Sequence, residues 1–132
     1  MQAQNIENPR QSNPLALTEQ SAQFTLEQEA EDLIRSPQWR TGIARKVLAQ
    51  YPDFQITLRR MKAGAHIPNH HNPGRICVQT VKGNIRMRAD GKIFDLPKGS
   101  ILVLDRAVTH DVEALEESVF LLTVALPDIS TQ

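Results

Sequence analysis

Asn84-Ile-Arg-Met-Arg-Ala-Asp90-Gly91-Lys-Ile-Phe-Asp-Leu-Pro97 alternates apolar and polar residues around an Asp-Gly pair. A period of two puts Ile85 and Met87 on one face of a strand and Arg86 and Arg88 on the wet face. Asp-Gly readily takes the positive φ angles of a two-residue hairpin turn, so the stretch reads as two antiparallel strands. The same period holds upstream, where Phe54, Ile56 and Leu58 alternate with Gln55, Thr57 and Arg59. Ile101-Leu-Val-Leu104 and Val119-Phe-Leu-Leu-Thr-Val124 are continuous apolar runs, the pattern of strands covered on both faces. Turn signals at Tyr51-Pro52-Asp53, Ala63-Gly64, Asn72-Pro73-Gly74, Lys82-Gly83-Asn84 and Pro97-Lys98-Gly99 recur every 8–12 residues or so, roughly the spacing of sandwiches and barrels. The fold class is all-β, a barrel or jelly roll.

One short helix precedes it. Residues 1–22 are rich in Gln, Asn, Ser and Pro without periodicity and read as a flexible tail. Residues 23–41 carry the helix and a connector. Thr25 and Gln28 have capping-box spacing, Glu27 and Glu29 fall in the first turn, and Leu26, Ala30, Leu33 and Ile34 form one apolar stripe. Ser36-Pro37 stops the helix, because the residue before proline is pushed out of the helical region. Trp39 reads as an anchor between helix and barrel, and residues 42–127 as the barrel itself.

At 132 residues the chain is long enough for one domain with a core of its own. Formal net charge is zero, which removes the electrostatic reason to expect nucleic acid or an anionic membrane surface. No apolar run reaches the length of a bilayer span, and the first residues lack the basic start and apolar stretch of a secretory signal. The single cysteine, Cys77, cannot form an internal disulfide and reads as a small buried hydrophobe. The expected location is the cytoplasm.

Three of the four histidines, His66, His70 and His71, fall in Gly64-Ala-His66-Ile-Pro-Asn-His70-His71-Asn72-Pro73-Gly74, and the fourth is His110. Imidazole is the commonest metal ligand in proteins. No Asp or Glu lies between Lys62 and Asp90.

Gly64, His70 and Gly83 fit, in register, the first motif of the cupin family: Gly, five residues, His-x-His, three or four residues, Glu, six residues, Gly. Gly99 and His110 fit its second motif, Gly, five residues, Pro-x-Gly, two residues, His, three residues, Asn. The chain therefore resembles the small stand-alone bacterial cupins over residues 64–114. The resemblance implies a single cupin-type double-stranded β-helix, a jelly-roll barrel. It also shows departures. Asn72 stands where the family has its second histidine and Ile76 where it has the glutamate, while Asp105, Ala107 and Ala114 replace proline, glycine and asparagine. Of the four usual ligand positions, His70 and His110 remain.

Two readings of the site stay open. In one, His70 and His110 line the barrel and contact a small-molecule ligand, with Asn72, Ile76 and Arg60 as further lining candidates. In the other they hold a divalent transition metal (Zn, Ni, Fe or Cu), with His66, His71 or Asn72 completing the shell. In an unbroken strand His66 and His70 share a face about 13 Å apart, at about 3.3 Å per residue, and His71 points away, so a bulge is needed to recruit either. Arg59 and Arg60 go to opposite faces. Arg60, in phase with Phe54, Ile56 and Leu58, is the one expected inside, unless it is a solvated or interface arginine. The resemblance implies a small-molecule-binding barrel; the alternatives are a metal-dependent oxygenase, isomerase or lyase, and a ligand-sensing regulatory domain. A homodimer is expected, through the strand after Trp39 and the N-terminal arm.

Overall fold

The computed structural model describes residues 20–126. The tail expected over 1–22 thus lies mostly outside the described residues. Helix α1 (Leu26–Ile34) leads through a short 3-10 turn (Pro37–Thr41) into nine strands. These are β1 (Ile43–Tyr51), β2 (Phe54–Met61), β3 (His66–His70), β4 (Arg75–Lys82), β5 (Asn84–Ala89), β6 (Lys92–Pro97), β7 (Ile101–Leu104), β8 (His110–Ala114) and β9 (Ser118–Ala125). They form a five-stranded sheet in the order β1-β2-β9-β4-β7 and a four-stranded sheet in the order β3-β8-β5-β6. Every pairing is antiparallel. Among the described residues no helix is long and apolar enough to cross a membrane.

Two apolar layers hold this together. Met61, Ile76, Val78, Ile85, Met87, Val112, Phe120, Leu122 and Val124 fill the space between the sheets. A second layer, Ala44, Leu48, Leu58 and Val119, packs against Ala30 and Leu33 of α1. Strand β9 contributes to both, which explains its unbroken apolar run. The Asp90-Gly91 hairpin forms as expected. Ala89 pairs with Lys92, and Asp90 and Gly91 take φ of 54° and 69°, both positive as that tight turn demands.

Helix α1 begins at Thr25 without the capping box. The Thr25 side chain makes no cap hydrogen bond, and Gln28 Nε2 instead donates to Asp32 Oδ1 at 3.2 Å. Ser36 caps the turn that follows, accepting from Gln38 N at 3.2 Å. Trp39 anchors helix to barrel as expected, with Lys62 and Arg60 over its ring at 5.2 and 5.6 Å. Cys77 is half-buried and out of phase with the inward Ile76 and Val78, so it sits on the outer face and not in the core.

Candidate functional site

β2 alternates as expected, but its inward face is the opposite one. Met61 belongs to the layer between the sheets, whereas Ile56 and Leu58 belong to the layer under the helix. Thr57, Arg59 and Met61 therefore face the barrel interior, and Arg60 faces α1. Both faces of β2 are covered, so hydropathy alone does not say which one is inside.

Arg60 is 3% exposed and far from the site expected for it. Its Nε and Nη2 donate to Glu117 Oε2 at 2.9 and 2.5 Å, and its Nη1 donates to the carbonyl of Ala30 at 2.9 Å. The arginine expected as a ligand contact ties the helix to the barrel.

Arg59 takes the inward position, across from Phe120 of β9 and Arg45 of β1. Its Nε–H is buried and meets no acceptor among the described residues. Burial, followed by the neighbouring Arg45 charge, lowers its pKa from the usual guanidinium value, yet arginine stays a cation at neutral pH.

The two histidines meet. His70 and His110 are register partners across β3 and β8, with ring centroids 4.2 Å apart and planes at 63°. A bulge brings this about. From Ile67↔Val112 to His70↔His110, β3 advances three residues while β8 advances two (70 − 67 against 112 − 110). The extra residue puts His70 on the same side as Ile67, which packs against the barrel core.

Each ring is also oriented. His70 Nδ1 lies 2.9 Å from the carbonyl of Pro68, and His110 Nδ1 lies 2.9 Å from that of Val108. A carbonyl only accepts, so both Nδ1 atoms carry a proton, and in the neutral ring the lone pair is on Nε2. His110 is 3% exposed. Burial holds its pKa below the usual imidazole range, the His70 and Arg59 charges push the same way, and the Val108 hydrogen bond and Asp111 oppose them.

The other sequence candidates lie elsewhere. The bulge sends His66 to the outer face, opposite Glu113 and 3.5 Å from Asp111 Oδ2. His71 is exposed in the loop after β3. Asn72 is half-buried in that loop, where its carbonyl accepts from Ala107 N at 2.9 Å. Ile76 is 3% exposed and faces inward as part of the core. Sequence reasoning missed Arg59: Met61, two residues on, shares its face and is fully buried, but one apolar residue did not outrank Phe54, Ile56 and Leu58 on the other face.

Among the described residues no group of three or more His, Cys, Asp or Glu could hold a metal ion. Catalytic zinc takes three protein ligands, and the iron facial triad adds a carboxylate to two histidines. Two imidazoles beside an isoleucine and a guanidinium do not fit either ion.

No protein-family model and no curated protein matches this chain. Solved structures do. A conserved protein of unknown function from Streptococcus pyogenes is similar at 23% identity and TM-score 0.68, over 87% of this chain and 96% of that one. A cupin superfamily protein from Desulfitobacterium hafniense is similar at 18% identity and TM-score 0.63, over 64% of this chain and 78% of that one. A salicylate 1,2-dioxygenase variant from Pseudoaminobacter salicylatoxidans is similar at 14% identity and TM-score 0.65, over 75% of this chain and 32% of that one.

Proposed function

We propose that this chain, which has the cupin fold, binds a small organic molecule inside the barrel, where His70 and His110 supply the polar contacts. One observation carries the reading. Each ring is oriented by the carbonyl two residues before it, and the two rings sit 4.2 Å apart beside the apolar layer between the sheets. A few convergent polar groups in apolar surroundings are what a small-molecule site needs. The likeness to a dioxygenase would suit an oxygenase, but that chemistry asks for a metal the residues do not fit, so the binding reading stands ahead of it. The regulatory reading requires the same ligand and adds a partner. Saturation-transfer NMR with a mixture of small alcohols, amides and acids tests the proposal. Compounds that bind wild type and are lost in the His70→Leu/His110→Leu double variant support it. A double variant that binds the same compounds equally well contradicts it.

The homodimer belongs to the same reading, with β7 as a second surface beside the strand after Trp39 and the N-terminal arm that the sequence suggested. Ile101 and Val103, 60% and 63% exposed on β7 at the edge of the larger sheet, are apolar surface that a second copy would cover. A monomer by light scattering would rule it out.

A further inference from the structure

The strands put no carboxylate into the barrel. The inward positions of β8 are His110, Val112 and Ala114, those of β5 are Ile85, Met87 and Ala89, and those of β4 are Ile76, Val78 and Thr80. The acidic residues of these sheets face out. Asp95 pairs with Arg86 at 2.8 Å, and Asp111 and Glu113 lie 3.6 and 3.5 Å from Arg88. Glu117 is taken by Arg60. Among the described residues the Arg59 guanidinium thus faces the interior with no internal counter-charge, its Nε–H buried without an acceptor, and Arg45 beside it adds a second positive charge. A buried charged donor left unpaired is costly, and proteins seldom keep one without a use.

Resting on the ligand-binding reading above, we propose that the barrel recognises a small hydroxy-carboxylate: Arg59 takes the carboxylate, and the Nε2 atom of His110 accepts from the hydroxyl. His110 is the histidine that feels the Arg59 charge. The division of labour follows from the donors and acceptors. A guanidinium fork matches the two oxygens of a carboxylate. An Nε2 lone pair repels those oxygens and needs a hydrogen to bond, which the one O–H of a hydroxyl on the adjoining carbon provides. The same arrangement disfavours a divalent cation, which Arg59 would repel.

The probes are lactate, acetate and lactamide, with sodium chloride as the ionic-strength control, added to the full chain while the Arg59 Nε–H resonance is followed by ¹H–¹⁵N NMR. Lactate should shift that resonance saturably, acetate should do so at roughly tenfold higher concentration for want of the hydroxyl's hydrogen bond, and lactamide and chloride should leave it in place. Arg59→Met should abolish lactate binding in a protein that still melts cooperatively. His110→Leu should erase the preference for lactate over acetate yet keep acetate binding. A resonance unmoved by either acid, or moved equally by lactamide or by chloride, overturns the carboxylate assignment. Lactamide binding that depends on the histidines and not on Arg59 would overturn this inference alone and leave the small-molecule reading standing. Loss of all histidine dependence would remove both.

Discussion

Arg59 and Arg60 are neighbours in sequence, Arg60 buried and Arg59 half-buried with its Nε out of water, and they meet opposite surroundings. Arg60, on the helix side of β2, is held by Glu117, the Ala30 carbonyl and the Trp39 ring. Lys46 on β1 repeats the pattern, with Nζ 2.5 Å from Glu29 of α1 and both side chains under 10% exposed (7% and 3%). Arg59, on the barrel side, has a buried Nε–H that meets no acceptor among the described residues. The helix face treats buried cations as staples and provides an acid for each. Among the described residues the barrel face provides none. A partnered cation explains itself by stability, and an unpartnered one calls for something from outside the chain.

The largest expected effect is on the helix face. Glu29→Ala leaves the Lys46 ammonium buried without that partner and should lower the unfolding free energy by about 3 kcal/mol, read from urea midpoints. A loss under about 0.5 kcal/mol, the range of an ordinary surface change, would break the contrast between the faces. A smaller gain sits at the barrel rim. Ala107 has φ of 59° and donates its N–H to the Asn72 carbonyl at 2.9 Å. A non-glycine residue there carries about 1–2 kcal/mol of strain, partly offset by glycine's greater entropy loss, so Ala107→Gly should stabilise by up to about 1 kcal/mol. A destabilised variant would mean that the Ala107 methyl makes packing contacts outweighing the strain.

The pH effect is the mildest. His110 has a lowered pKa in the folded state, chiefly through burial, with His70 and Arg59 facing it and Asp111 next to it in the chain. Below about pH 6.5 the unfolded chain binds a proton that the folded chain resists. The contribution of His110 to stability is therefore complete above that value and declines as the pH falls toward the folded pKa. Melting temperatures compared at about pH 7.5 and 5.5 should show a loss that is smaller in His110→Leu. An equal loss in both would place the titrating group elsewhere.

Much of the fold was legible because local chemistry sets it. Asp90-Gly91 demanded its hairpin, and the spacing from Gly64 to His70 and from Gly99 to His110 foretold a pair that the register then joins. What failed to show depended on long-range contacts. Arg59 and Arg60 could not be sorted because the helix covers the far side of β2 and makes both faces apolar. The bulge between Ile67 and His70 is one extra residue, and nothing in His-Ile-Pro-Asn-His says where it falls, so His66 read as a companion of His70 when it faces outward. Ile76 read as a lining residue, and its burial in the core is fixed by β4 lying between β7 and β9.

Thermal melting of Arg59→Met beside Arg60→Met tests the contrast most directly. Arg60→Met should lose about 2 kcal/mol, a fall of several degrees, because it takes the donor from Glu117 and from the Ala30 carbonyl. Arg59→Met should melt at the wild-type temperature or above it, since an apolar side chain of similar size removes a half-buried cation whose buried Nε–H has no acceptor among the described residues. Equal losses in the two variants would mean that the fold itself depends on Arg59, and the account of a barrel that holds a cation in reserve for a ligand would be wrong.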